Sequence, residues 1–248
     1  MIDMPLQEEF NRSGSWLFRW RSFFPLLLIF LFLGSLVDGD PQTLLRTEFL
    51  RAVISLAVSF FGLGIRAYTI GHTPAKTSGR NTRKQLAEKL NTSGIYSLSR
   101  HPLYIGNFFM YLGLMLFTGH IWAVLLFILL FVIYYERIMF TEESFLREKF
   151  GKEYLDWASR TPVFPYRFKQ FTPPDLSFSL RHVLRREYSG FYAVIISLLV
   201  FKALGDLILL NRINANMFWI ILSSAGTLIW AVLRILSKYT KLLKVSGR

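Results

Sequence analysis

The amino-acid sequence predicts an all-α fold: a polytopic membrane bundle of about six transmembrane helices. Three observations predict it. Apolar residues make up 52% of the 248 positions and aromatic ones 17%, a balance suited to a lipid environment. Several apolar runs approach the ~20 residues that cross a bilayer. The basic residues divide very unequally between the two sets of connections that those runs would create.

Taken in order, residues 1–21 form a polar lead in which Trp16, Phe18 and Trp20 interleave with Arg19 and Arg21, the composition of a helix entering the headgroup region. Residues 23–37 make the first span, retained rather than cleaved, because no small-residue cleavage site follows. Asp38-Gly39-Asp40-Pro41 reads as a turn. The second span covers residues 49–70, with Gly62 and Gly64 offering close helix contact and Arg51 and Arg66 expected to snorkel at its two ends. A polar loop with Lys76, Arg80, Arg83, Lys84 and Lys89 follows.

Residues 103–117 and 121–140 are the third and fourth spans, joined only by Thr118-Gly119-His120 and therefore antiparallel neighbours. A short helix is expected over 142–150, stopped by Gly151, and another over 152–159, which Pro162 cannot continue. Spans at 188–210 and 217–236 complete the set, and the Lys202 and Asp206 pair reads as snorkelling toward the outer face. Three segments result: 1–92 (lead, two spans and basic loop), 93–170 (hairpin plus following helices) and 171–248 (linker and last two spans).

With both termini on one side, Arg12, Arg19, Arg21, the 76–100 loop, the 137–186 segment and the basic tail from Arg234 all share that side, while Arg46, Arg51 and Arg212 fall opposite. The positive-inside rule then makes that side cytoplasmic. Most of the +13 net charge is thereby topology, so nucleic acid is not expected as a partner, whereas the lipid bilayer is. The absence of cysteine excludes disulfides, thiolate catalysis and cysteine-ligated metals. Four scattered histidines give no metal-ligand spacing, and no metal is expected.

The chemistry concentrates in residues 93–165. A residue before proline avoids the α region and proline suits the first helical position, so His101 should cap the third span and Pro102 begin it. The free N–H groups there, beside Arg100 and His101, suit a carboxylate or phosphate. Gly106 would let a bulky group approach the helix, and Tyr96 and Tyr104 offer hydroxyls or ring faces. The hairpin returns Glu142 and Glu143 to the same membrane face, so carboxylates and an anion site converge on what would suit a ligand bearing both ammonium and carboxylate. The competing interpretation has Glu143 merely pairing with Arg147 one turn on, in an amphipathic surface helix.

The ordered pattern Arg100-His101-Pro102-x-Tyr104-x-Gly106, then an apolar hairpin, Glu142-Glu143 with Leu146, Phe150-Gly151-x-x-Tyr154 and Arg160-x-Pro162 resembles the isoprenylcysteine carboxyl methyltransferases and their phospholipid methyltransferase relatives. The resemblance implies an integral membrane enzyme that uses S-adenosylmethionine, with a cytoplasmic-face cofactor site enclosed by the hairpin and the helices after it. It implies cofactor-site roles for Tyr96, His101, Tyr104, Gly106, Glu142 and Glu143, and methyl-acceptor-facing roles for Arg100 and Arg160. The implied substrate is a membrane lipid or prenylated molecule. Two arginines favour methylation at an anionic oxygen, carboxylate or phosphate, but they equally allow lipid phosphate beside an amine acceptor. N-methylation of a phospholipid amine, a membrane NADPH-dependent isoprenoid or sterol reductase, and a non-catalytic membrane scaffold are the alternatives.

Overall fold

The structure is a computed structural model describing residues 5–37, 40–74, 77, 87–165 and 168–248. Among these the chain is helical, and an isolated bridge between Gly94 and Thr172 supplies its β pairing. The basic-loop residues Lys76, Arg80, Arg83 and Lys84, and Asp38 and Gly39 of the first turn, lie outside the described residues.

Helix α1 (Leu6–Trp20) runs through a short 3₁₀ turn into α2 (Phe24–Val37). Asp40 caps α3 (Pro41–Arg46), its carboxylate accepting from the Thr43 N–H at 2.9 Å, with Pro41 at the first helical position. Then come α4 (Glu48–Gly71), α5 (Pro102–Leu116), α6 (Ile121–Phe150), α7 (Lys152–Ala158), α8 (Leu180–Leu210) and α9 (Met217–Tyr239). Five stretches are long and apolar enough to cross a membrane: Leu6–Val37, Glu48–Gly71, Ile121–Phe150, Leu180–Leu210 and Met217–Tyr239. Pro102–Leu116 is a shorter apolar helix, so the expected third span is the short member of a multi-pass membrane bundle.

The 15 residues of α5 rise only ~22 Å, less than the ~30 Å hydrocarbon layer, so α5 is too short to cross that layer by itself. The 30 residues of α6 rise ~45 Å and stand well clear of the layer. The separate helix expected over 142–150 is in fact the last part of α6. Good helix formers fill that stretch, and the first breaker is Gly151, whose φ of +52° ends the helix.

Helices α4 and α5 pack most closely, and glycine permits it. A Cβ on Gly62 would lie 2.5 Å from the Gly106 carbonyl oxygen, and one on Gly106 would overlap the Arg66 side chain. Gly106 therefore admits a neighbouring helix rather than a ligand, whereas Gly64, expected to share that role, faces open space. Ser59 Oγ donates to the Met110 carbonyl across the same seam at 2.9 Å. On the other flank α1 lies along α6, with Arg137 3.4 Å over the Phe10 ring and Tyr134 donating to the Leu17 carbonyl at 3.1 Å.

Three expected snorkelling residues are instead held inside. Arg66 is part of the cavity described below. Arg51 donates to the carbonyls of Leu44 and Phe117, tying α4 to the chain ends beside it. Lys202 is buried, its Nζ 2.6 Å from Asp206 and 2.7 Å from Glu48, while Trp219 Nε1 donates to the other Glu48 oxygen at 2.7 Å. A charge in a low-dielectric layer is held more cheaply by a partner on a neighbouring helix than by reaching for water, and Glu48 provides that partner.

Candidate active site

The site begins with a cap. His101 has non-helical angles (φ −129°, ψ 56°), Pro102 opens α5, and the His101 carbonyl accepts from the Tyr104 N–H at 3.0 Å. What fixes this corner is the segment after α7. The Arg100 N–H donates to the Pro162 carbonyl at 3.0 Å, Ser99 Oγ donates to the Val163 carbonyl, and the His101 N–H donates to Ser99 Oγ at 3.2 Å. Pro162 thus braces the backbone that presents Arg100 and His101.

Against that corner α6 delivers its two carboxylates. Glu143 Oε1 lies 2.8 Å from His101 Nε2, and its Oε2 lies 3.2 Å from Arg100 Nη1. Tyr104 donates to Glu142 Oε2 at 2.7 Å, and His101 stacks on the Tyr104 ring. The Glu143–Arg147 pairing is not adopted, because two stronger partners stand across the hairpin. Arg100 Nε is buried with no hydrogen-bond partner among the described residues. A buried donor left open in this way fits an anionic ligand group at the cluster.

A cavity of about 550 Å³ adjoins the cluster, lined at this end by Tyr96, Arg100, His101, Tyr104 and Glu142. Its volume is that of a small-molecule or cofactor site. Leu90, Leu146 and Trp157 add apolar surface, and Trp157 Nε1 fixes the nearby loop by donating to the Tyr96 carbonyl at 3.2 Å. Burial, and then the Glu142 carboxylate, raise the pKa of the Tyr96 phenol; burial, and then Glu143, raise that of Tyr154. Both phenols are consequently neutral at physiological pH.

Six of the eight sequence-predicted site residues line the cavity or pair with its lining: Tyr96, Arg100, His101, Tyr104, Glu142 and Glu143. Gly106 is turned toward α4. Arg160 is exposed, its Nε donating to the Asp156 carbonyl at 3.0 Å, and it stands apart from the described lining. Sequence reasoning missed Arg66, Asn107 and Glu187. Arg66 donates to both Glu187 oxygens at 2.8 Å and to Asn107 Oδ1 at 2.7 Å, all within the cavity wall. The signal was present, since an arginine deep in an apolar helix marks a functional position until a partner explains it. Among the described residues no group of three or more His, Asp or Glu side chains is placed to hold a metal ion.

The fold is that of a multi-pass membrane protein whose bundle holds a cavity lined at one end by charged side chains. Comparison with known proteins agrees with the resemblance carried by the motifs: residues 50–153 match the phospholipid methyltransferase family. The cobalt-zinc-cadmium resistance protein CzcN of Cupriavidus metallidurans is 36% identical over 104 residues, 41% of this chain and 45% of that protein. The nickel-cobalt-cadmium resistance protein NccN of Alcaligenes xylosoxydans is 35% identical over 121 residues, 48% of this chain and 54% of that one. Protein-S-isoprenylcysteine O-methyltransferase of Schizosaccharomyces pombe is 36% identical over 73 residues, 29% of this chain and 31% of the yeast protein. The chain thus spans about half the length, or less, of these curated relatives. No solved structure matches at a significant level.

Proposed function

We propose that this chain is an integral membrane S-adenosylmethionine-dependent methyltransferase acting on a lipid or prenylated acceptor at an anionic oxygen, with its site on the cytoplasmic face. The observation that carries the proposal is the meeting of Glu142 and Glu143 from α6 with Arg100, His101 and Tyr104 from α5, beside a cavity that continues into the apolar interior. The match of residues 50–153 to the phospholipid methyltransferases supports the reaction class.

The residues present fit this cofactor. Glu142 accepts from Tyr104 and keeps lone pairs to receive the cofactor's ammonium, while Arg100, with its unpartnered Nε, keeps donors for the acceptor's anionic oxygen. Tyr96, Trp157 and Leu90 supply the flat and apolar surface that a nucleoside needs. S-adenosylmethionine, when bound, supplies an electrophilic methyl group carried on a sulfonium.

The chain's own contribution is alignment and dehydration. Glu143, held by His101 through one carboxylate oxygen, pairs with Arg100 Nη1 through the other, so the guanidinium is oriented before an acceptor arrives. The buried His101 and the apolar residues of the cavity wall favour a partly dehydrated site, which suits a reaction in which an anionic oxygen meets a cationic donor and the two charges cancel. No general base is required for a carboxylate or phosphate, and His101 serves here to hold Glu143, its Nε2 lying 2.8 Å from Glu143 Oε1. Transfer of a labelled methyl group from S-adenosylmethionine to membrane lipid extract by the purified protein tests the proposal. Incorporation into an alkali-labile or phosphate-linked product is expected, and incorporation only into amines would move the acceptor to the N-methyl class.

A further inference from the structure

Helices α4, α5 and α8 meet at the cavity through one buried ion pair. Arg66 of α4 donates from Nε and Nη2 to the two oxygens of Glu187 on α8, each at 2.8 Å, and from Nη1 to Asn107 Oδ1 on α5 at 2.7 Å. The side chains of Arg66 and Glu187 are only 17% and 5% exposed, and all three residues line the cavity. An arginine can only donate, so the Asn107 atom that faces it must be the oxygen. That choice turns Asn107 Nδ2 toward α6, where it donates to the Tyr135 hydroxyl at 3.3 Å. The buried Tyr135 ring in turn lies 5.1 Å from the ring of Tyr104, which donates to Glu142.

Two glycines leave room for this arrangement. A Cβ on Gly106 would overlap the Arg66 side chain, and one on Gly190, a turn along α8 from Glu187, would stand 3.3 Å from Glu187 Oε2 and 3.7 Å from Met110 Cε. Arg66, Asn107 and Tyr135 lie inside the family-matched residues 50–153, whereas Glu187 is supplied by the C-terminal segment. Stability alone is a poor reason for the pair, because a buried ion pair seldom holds helices together better than well-packed apolar side chains do. A charge deep in an apolar helix is by default a functional feature, and this pair lines a cavity.

We propose that Glu187 is a positioning residue. Through Arg66 it fixes the amide of Asn107, and through that amide the hydroxyl of Tyr135, so that the cavity wall one turn along α5 from Tyr104 is set before a ligand binds. The role of this wall in turnover rests on the methyltransferase reading above. Glu142, Glu143, Arg100 and His101 have partners of their own, so Glu187 bears on the rate of transfer and leaves cofactor affinity alone.

The test uses the full chain in detergent. Arg66→Met combined with Glu187→Met replaces the pair by apolar side chains and should leave the thermal midpoint little changed. Methyl transfer to membrane lipid extract should nonetheless slow roughly 3- to 10-fold, the scale of one neutral hydrogen bond, while S-adenosylmethionine affinity stays within about 2-fold. Full turnover in a stable variant, or a loss that lies in cofactor affinity alone, would overturn the inference. Should the paired substitution lower the midpoint or fail to fold, a cycle of Glu187→Gln and Asn107→Leu decides. The slowing caused by Glu187→Gln should vanish in the Asn107→Leu background, and slowings that multiply would overturn the inference. A readout free of chemistry is the fluorine NMR resonance of 3-fluorotyrosine placed at Tyr135 in the ligand-free protein, expected to move in Glu187→Gln as it does in Asn107→Leu. A resonance unmoved by Glu187→Gln defeats the positioning role whatever the activity. A resonance that moves in a protein unable to transfer methyl groups upholds the grip on Tyr135 and defeats the methyltransferase reading alone.

Discussion

Glu143 holds His101 and Arg100 at once, so the orientation of both side chains depends on a single carboxylate. Arg100 has the more demanding part, because its planar fork can grip a carboxylate or phosphate in two places and a lysine cannot. Arg100→Lys should therefore preserve insertion and cofactor affinity while losing ~2 to 3 kcal/mol of transition-state binding, roughly 30- to 150-fold in turnover. A methyl-transfer assay beside a cofactor titration checks this, and full activity would make Arg100 a topology determinant only. At this scale the sequence was most legible where local rules apply. The His-Pro pair announces its own cap, and a hairpin of known length brings Glu142 and Glu143 back to it. Arg66 and Glu187 were not legible as partners, because 121 residues separate them and no local rule relates α4 to α8.

Helices approach one another here through missing side chains. Gly106→Ala would push a methyl group into the Arg66 side chain and the Gly62 carbonyl, and overpacking of this kind typically costs ~1 to 3 kcal/mol. A lowered thermal midpoint in detergent is expected, together with weaker hold on Glu187, since Arg66 must move. An unchanged midpoint would show that the α4–α5 seam relaxes freely. At the opposite end Lys202→Met would leave the buried Asp206 and the half-buried Glu48 without their shared cation, a change that costs ~3 to 5 kcal/mol when one partner of a buried pair is lost. Denaturation monitored by circular dichroism should show it, and a loss under 1 kcal/mol would mean that water reaches the network. Element boundaries were read well at Pro102 and Gly151, but Pro41, read as part of a turn, opens α3, and α8 begins at Leu180 and not at 188. They were misread at 142–150, where a change from apolar to charged residues was taken for a break that helix geometry does not require.

The bundle as a whole combines the family-matched residues 50–153 with a C-terminal pair of helices, of which α8 lines the cavity. Hydropathy made the hairpin order and five of the six expected spans legible, the sixth being the short α5, whereas the docking of α8 was not legible, because lipid-facing and cavity-facing apolar residues look alike in sequence. Orientation rests on charge asymmetry, and the cysteine-free chain makes it measurable. A single cysteine at Glu88 should resist an impermeant thiol reagent in intact cells, and one at Arg212 should react; the reverse pattern would invert the topology. The central claim, that the corner of Arg100, His101, Tyr104, Glu142 and Glu143 is a methyl-donor site, is tested most directly by titrating S-adenosylmethionine into the purified protein and its Glu142→Gln and Glu143→Gln variants, with NADPH as a control ligand. The account predicts saturable binding to the unmodified protein, none of NADPH, and an affinity weakened ~10-fold or more in each variant as a charge-assisted contact is lost. Equal affinity in all three proteins, or binding of NADPH in place of S-adenosylmethionine, would contradict it.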